Sequence, residues 1–232
     1  MSGRGTPRPP ELSDALETAE GRIDALETAE GRIDALETAL RDGEDVEGVR
    51  FVSVVFDQAP PFRITLRGCA FERCVFPAGA GDRAPFDFID CAFRGCDLSG
   101  LNLERAALHR VSLTECRATG ASFVEASLRD AAFSGCQMDY SLFALARLER
   151  VQMARCSLAQ AVFTDAKFQS VHWESCRLTG ADLCGVRLKG MDLRTNDLTA
   201  MVLRDLREVS GAVLSAEQAC LLAALLGAQV KI

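Results

Sequence analysis

From Phe88 to Leu203 an apolar residue recurs at every fifth position for twenty-four consecutive units. The centres run Phe88, Phe93, Leu98, Leu103, Leu108, Leu113, Ala118, Phe123, Leu128, Phe133, Met138 and Phe143. They continue through Leu148, Met153, Leu158, Phe163, Phe168 and Trp173, then as leucine at every fifth residue to Leu203. Two residues before each centre lies a second small or apolar residue, as at Ala106, Val111, Cys116, Ala121, Ala126, Ala131 and Cys136. A period of five fits neither a helix nor a flat strand. It requires a backbone that turns a corner every five residues and aims the same two positions inward each time. That is the signature of a solenoid built from stacked repeats.

A longer period fixes the number of sides. Cys96, Cys116, Cys136, Cys156 and Cys176 recur every twenty residues, each two before a centre, and Phe123, Phe143 and Phe163 share that spacing. Twenty residues are four units, so the pattern predicts a four-sided coil. Cysteines would stack along one side and phenylalanines along another, forming a core ladder. Adjacent coils should lie ~4.8 Å apart, the spacing of paired strands.

The flanks read differently. Residues 1–10 are polar and Pro-rich and predict a disordered tail. Residues 14–23 and 24–33 are the same decapeptide, DALETAEGRI, and 34–39 begin a third copy. Alanine, leucine and glutamate favour helix, so an acidic helix is expected over 11–43. Leu16, Ile23, Leu26, Ile33, Leu36 and Leu40 form a coiled-coil-like stripe on it. That stripe would self-associate as an oligomerisation helix, fold back as a cap on the first coil, or stay free. The five-residue pattern starts imperfectly at Val49, with a defect at Ala59, Pro60 and Pro61. It then jumps twelve residues from Phe76 to Phe88, two more than two units. Gly and Pro over 77–85 mark a loop there. After residue 207 the repeats stop. Ser215 and Gln218 form a capping-box pattern, Ala216 to Leu226 reads as a helix closed by Gly227, and 228–232 alternates like a short strand.

Ala121-Ser122-Phe123, Ala126-Ser127-Leu128 and Ala181-Asp182-Leu183 resemble the A-(D/N)-L-x-x unit of the pentapeptide-repeat family. The resemblance implies an all-β solenoid, specifically a right-handed quadrilateral β-helix over 49–207. The C-terminal segment 208–232, a helix and strand, is similar to the ending of the topoisomerase-protecting, Qnr-type quinolone-resistance group. In that group the ending joins two copies tail to tail, which implies a homodimer through Leu221, Leu222, Leu225, Leu226 and Val230. The loop with Pro77, Gly79, Gly81, Asp82, Arg83 and Pro85 is similar in placement to a loop of that group and implies a partner loop. The implied function is a DNA-mimicking dimer that occupies the DNA groove of DNA gyrase or another topoisomerase and protects it from inhibitors. The alternative is a generic protein-interaction scaffold oligomerised by the N-terminal helix.

Charge refines this picture. The chain carries a net charge of −7, but residues 11–48 hold 13 acidic and 3 basic residues while 49–232 hold 20 and 21. The solenoid is therefore close to neutral. One side would expose Arg110, Arg129, Arg147, Arg150, Lys167, Arg187 and Lys189, offset by Asp130 and Glu149. The next would expose an acidic row of Glu104, Glu125, Asp165, Asp182 and Asp205. Aromatic residues that would stack on bases are scarce on the basic side, which argues against direct nucleic-acid binding.

Candidate chemistry is sparse. His109 and His172 fall at outward positions about three coils apart, too far to cooperate in acid–base work. A straight stack of thiols does not converge as zinc requires, so no metal or other cofactor is expected. Cys184 and Cys220 lack neighbours that would activate a thiolate, and Trp173 reads as core. No phosphate loop or nucleophile elbow occurs, so no enzyme and no small-molecule substrate are expected. Buried cysteines used as small apolar groups, the lack of a secretory signal and the lack of a long apolar run point to a cytoplasmic protein outside the membrane.

Overall fold

The computed structural model describes residues 45–56, 63–79 and 86–225. The expected helix 11–43 with Leu16, Ile23, Leu26, Ile33, Leu36 and Leu40, the Pro60 defect, loop residues Gly81, Asp82, Arg83 and Pro85, and Leu226 with the strand around Val230 lie outside the described residues.

The chain forms an all-β parallel solenoid with four faces. The first face is a seven-stranded parallel sheet of Val46–Glu47, Ile64–Arg67, Phe86–Ile89, Ala107–His109, Ser127–Arg129, Arg147–Glu149 and Lys167–Gln169, stacked in chain order. The second is a matching sheet of Arg50–Val52, Ala70–Glu72, Ala92–Arg94, Ser112–Thr114, Ala132–Ser134, Gln152–Ala154 and His172–Glu174. On the third and fourth faces the contact thins to single parallel bridges, such as Asp97 with Arg117 and Ser122 with Leu142. The register is twenty residues: Leu108 lies over Leu128, and Phe133 over Met153. The first strand already pairs Val46 with Leu66, so the coil starts three residues ahead of Val49.

One coil is longer. Ile64 pairs with Phe86, Phe71 with Phe93, and Val75 with Asp97, all twenty-two residues apart. The two surplus residues are absorbed between Gly79 and Phe86, and the register resumes unchanged above them. Each coil bonds only to its neighbours, so an insertion between faces costs little beyond loop closure.

The corners carry the strain of the design. From Asp90 to Gly190 every fifth residue sits in the left-handed region, whatever its type: Gly100 (φ 67°), Arg105 (57°), Arg110 (53°) and Glu115 (54°) in succession. Turns entering the fourth and first faces close with a bond from the amide of Leu101 to the oxygen of Leu98, and of Ala106 to Leu103, each 3.1 Å. Coils are tied by amide–carbonyl bonds from one to the next, as from Ser127 to Ala106 at 2.8 Å. The two inward positions of each unit fill the lumen. Phe123, Phe143 and Phe163 stack with ring centroids 4.6 and 4.8 Å apart and nearly parallel planes. Phe51, Phe71 and Phe93 make a second stack at 4.8 and 4.6 Å at the N-terminal end.

After Leu203 the chain leaves the pattern; Val202 is still bridged to Asp182 in register. Asp205 caps a 3-10 turn, Leu206–Val209, in which Glu208 completes a capping box. Val213 then bridges to Asp192, and helix α1, Ala216–Leu225, lies across the open end.

Candidate functional site

Side chains able to do chemistry divide into three sets: those in the lumen, those locked between coils, and those left on the surface. The cysteines belong to the first set. Cys96, Cys116, Cys136, Cys156 and Cys176 are buried, and the twenty-two-residue coil extends their column back to Cys74. Several of these thiols donate to a carbonyl one coil below, Cys96 to Phe71 at 3.3 Å, Cys136 to Leu113 at 3.4 Å and Cys176 to Met153 at 3.3 Å. The neighbouring Cys156 sulfur and then burial push the Cys176 thiol up, which keeps it protonated. Among the described residues no group of His, Cys, Asp and Glu is placed to hold a metal ion.

The top of the column is polar. Asn196 takes the position twenty residues after Cys176 and is buried. Its amide donates to the oxygens of Trp173 (3.1 Å) and Leu193 (3.3 Å), and its carbonyl accepts from the Cys176 amide at 2.9 Å. Gln218 from α1 is also buried and donates to the oxygens of Leu193 and Asn196, both at 2.8 Å. Ser215 and Gln218 close the capping box, with the Ser215 amide on Gln218 Oε1 at 2.9 Å and the Gln218 amide on Ser215 Oγ at 3.2 Å. An open solenoid end exposes carbonyls with no next coil; two carboxamides satisfy them here. Of the segment expected to dimerise, Leu222 is buried against the last coil and Leu221 stays 44% exposed. Leu225 ends α1.

Ion pairs make up the second set. On the corner column between the first and second faces, Asp90, Arg110, Asp130 and Arg150 alternate at twenty-residue steps. Arg110 is bidentate on Asp90, and Arg150 on Asp130 with Nη2 to Oδ2 at 2.9 Å. The arginines hold both aspartates below the ordinary carboxylate range. Arg129 reaches Glu149 at 3.3 Å. Three of the seven cations expected on this side are therefore neutralised. The acidic row is broken up in the same way. Arg105 pairs with Glu125 at 2.9 Å, Arg204 with Asp165 at 3.3 Å, and Arg207 with Asp205, which also serves as the cap of the 3-10 turn. Glu104 accepts from Ser122 Oγ at 3.3 Å, and Asp182 from Thr164 Oγ1 at 2.9 Å and the Cys184 amide at 2.8 Å. The row lies along the fourth face, but arginines interrupt it and it forms no continuous negative band. The signal for four of these pairs was in the sequence, as opposite charges spaced by one twenty-residue coil; Arg204 instead reaches Asp165 across two coils, and Arg207 pairs locally with Asp205.

The third set is small. His109 is half-buried on the first face, and burial, then Arg129 and Arg110, push its pKa down. His172 is exposed on the second face, so the two do not meet. Cys184 is partly exposed, and burial followed by the Asp182 carboxylate pushes its thiol up to about 11. Pro77 and Gly79 mark the base of the loop. Arg147, Lys167, Arg187 and Lys189 are exposed cations with no ion pair among the described residues. Beside them the fourth face turns apolar: Tyr140 is 62% exposed, Leu142 38% and Leu145 53%. Tyr140 and Leu145 occupy left-handed corners at φ 60° and 59°. Such conformations cost an L-residue roughly 1–2 kcal/mol relative to the right-handed region.

This geometry defines a class: a four-sided parallel solenoid of five-residue units, capped at its C-terminal end and without a convergent catalytic site among the described residues. Residues 86–163 match the family model of the pentapeptide repeat region. Solved structures to which the chain is similar include QnrB1, a plasmid-mediated fluoroquinolone resistance protein, at 19% identity over 81% of this chain and 100% of that one, with a TM-score of 0.38. Others are a pentapeptide repeat protein of the Arabidopsis thaliana thylakoid lumen (24% identity, 42% and 68% covered, TM-score 0.39) and HetL of Nostoc sp., involved in heterocyst differentiation regulation (15%, 74% and 85%, 0.36). No curated protein matches the chain. No helix among the described residues is long and apolar enough to cross a membrane.

Proposed function

We propose that the protein is a non-catalytic interaction rod, acting by presenting its outer faces to another protein. The carrying observation is the placement of reactive groups. Thiols line the lumen, and most carboxylates and guanidinium groups are tied to partners one coil away. What remains is a rigid four-sided surface. Eight coils at strand spacing make it roughly 38 Å long.

The partner we propose is DNA gyrase or a related topoisomerase, which the rod would shield from inhibitors. Two features support this reading: the capped C-terminal helix with Leu221 outward, fit to join two copies, and the coil of twenty-two residues, which gains two residues between Gly79 and Phe86. The interrupted acidic row means that recognition would rest on the rod's dimensions and the loop more than on a uniform negative field. Supercoiling by purified gyrase, with and without a quinolone, tests the proposal. Inhibition or protection is expected, and an unchanged reaction in both arms rejects this partner.

The mosaic of paired charges favours a second reading, a general scaffold oligomerised by the N-terminal segment. Deleting residues 11–42 should then lower the particle mass by light scattering; an unchanged mass rejects it.

A further inference from the structure

The apolar and basic surfaces left over on the solenoid adjoin along one edge. Across three coils of the fourth face, Val124, Leu142, Ala144, Leu145 and Val162 lie side by side, with Ser122, Leu142 and Val162 bridged in register. Leu145 is the corner residue, between Glu125 and Asp165 of the same column, which Arg105 and Arg204 neutralise, and two residues later the chain is on the first face at Arg147. Arg147 pairs in register with Lys167, and Arg187 follows one coil on. An apolar strip thus runs beside a column of exposed cations, along the edge joining the fourth and first faces.

The same edge is where the chain enters the solenoid. Asp45, Thr65, Asp87, Ala107, Ser127 and Arg147 hold successive places in one column, fixed by the pairing of Val46 with Leu66 and so on upward. Residues 11–44 end at the foot of this column. They carry eleven carboxylates against three arginines, together with the apolar stripe from Leu16 to Leu40. Both features complement the edge: apolar residues for the strip, carboxylates for the cations.

The lengths agree as well. Five coil steps separate Asp45 from Arg147, about 24 Å at strand spacing, which a helix covers in about 16 residues. A helix ending at Asp45 and running along the rod would therefore bring Leu26, Glu27 and Glu30 of the repeated decapeptide level with Arg147 and Lys167. Ten helical residues rise ~15 Å and three coils ~14 Å, so one decapeptide spans the three coils of the strip; because ten residues fall about 80° short of three full turns, the stripe of a single decapeptide, 24–33, would face the edge.

We infer that the acidic N-terminal segment docks along this edge of its own solenoid, as an amphipathic helix lying parallel to the rod. Its leucine stripe covers Leu142, Leu145 and Val162, and its carboxylates meet Arg147, Lys167 and Arg187. The exposed leucine at a strained corner is then explained as a contact residue.

Hydrogen exchange on the full-length protein tests this. Amides of residues 14–40 should be protected, and that protection should fall by about tenfold or more in Leu142→Ser/Leu145→Gly and in Arg147→Glu/Lys167→Glu. Glycine suits the left-handed corner and the charge variants touch only surface groups, so the solenoid's own protected amides report that each variant is folded. Equal protection in the variants and the parent would overturn the assignment, as would unprotected amides in the parent. Protection that disappears on dilution while the mass falls would overturn it in favour of pairing between copies.

Discussion

Replacing Gln218 with alanine tests the account of how the rod is closed. Gln218 is buried, and its carboxamide makes two bonds of 2.8 Å to the carbonyls of Leu193 and Asn196 while accepting from the Ser215 amide. Truncation leaves two buried carbonyls short of a partner, each costing about 1–3 kcal/mol. Loss of the reciprocal capping box adds about 1 kcal/mol. The site lies at the end of the rod, where the chain relaxes more readily than in the middle. We therefore expect the lower part of that range, about 3 kcal/mol. The effect should be local, because each coil depends only on its neighbours. At about 1.4 kcal/mol per tenfold, amides that close the last coil, such as Leu193 and Val213, should exchange roughly a hundredfold faster. Amides around Phe123 should not change. Gln218→Leu separates volume from hydrogen bonding: it keeps the bulk but donates nothing, and should lose nearly as much. A leucine variant as well protected as the parent would show that burial alone closes the end and would refute the argument.

Further outcomes follow from the same structure. Phe143→Ala removes the middle ring of a fully buried stack and should cost about 3–5 kcal/mol, read as a lower urea midpoint; a shift within error would mean that the stack is not tightly packed. In the folded protein an aromatic disulfide reagent should modify Cys184 and Cys220 alone among the ten cysteines, since the other eight are buried. Cys184, with its thiol at about 11, should react faster as pH rises toward that value and faster at pH 8 in Asp182→Asn; rapid modification of the column would contradict the buried ladder. Arg194 and Arg207 hold Asp192 and Asp205 at about 2, and Asp90 and Asp130 are also depressed by arginine. Their contribution to stability is complete above the ordinary aspartate value of about 4 and is lost as pH falls toward 2. Thermal melts followed by circular dichroism should stay level from pH 7 to 5 and decline below about 4; a decline beginning above pH 5 would point to other groups.

The docking inference and the partner proposal bear on different surfaces and fail separately. An N-terminal segment that stays on its own solenoid would leave the C-terminal end and the loop coil available to a partner. It would also place acidic groups on a side that would otherwise be basic, bringing the field of the whole molecule closer to that of a polyanion.

Much of the architecture was legible because a solenoid converts sequence distance directly into spatial contact. Phe123, Phe143 and Phe163 stack because they are twenty apart, and nothing remote in the chain intervenes. The same rule would have disclosed the alternation of Asp90, Arg110, Asp130 and Arg150, which turns an apparent basic side into one half neutralised. Counting charges by face concealed it, because pairing follows the column and not the face. The polar plug was only half visible. Asn196 stands in the cysteine column, but no spacing connects it to Gln218, which arrives after the register has broken.

The sequence by itself determined the five-residue corner, the four-sided coil, the buried ladder and the level of the enlarged coil, since these depend on contacts that recur at a fixed separation. Only the tertiary structure decided which charges pair outside the twenty-residue spacing, as Arg204 does with Asp165, how the open end is satisfied, and which edge keeps both apolar and basic side chains exposed. Those outcomes depend on the directions of long side chains and on the path of non-repeating segments, and neither is encoded in a period.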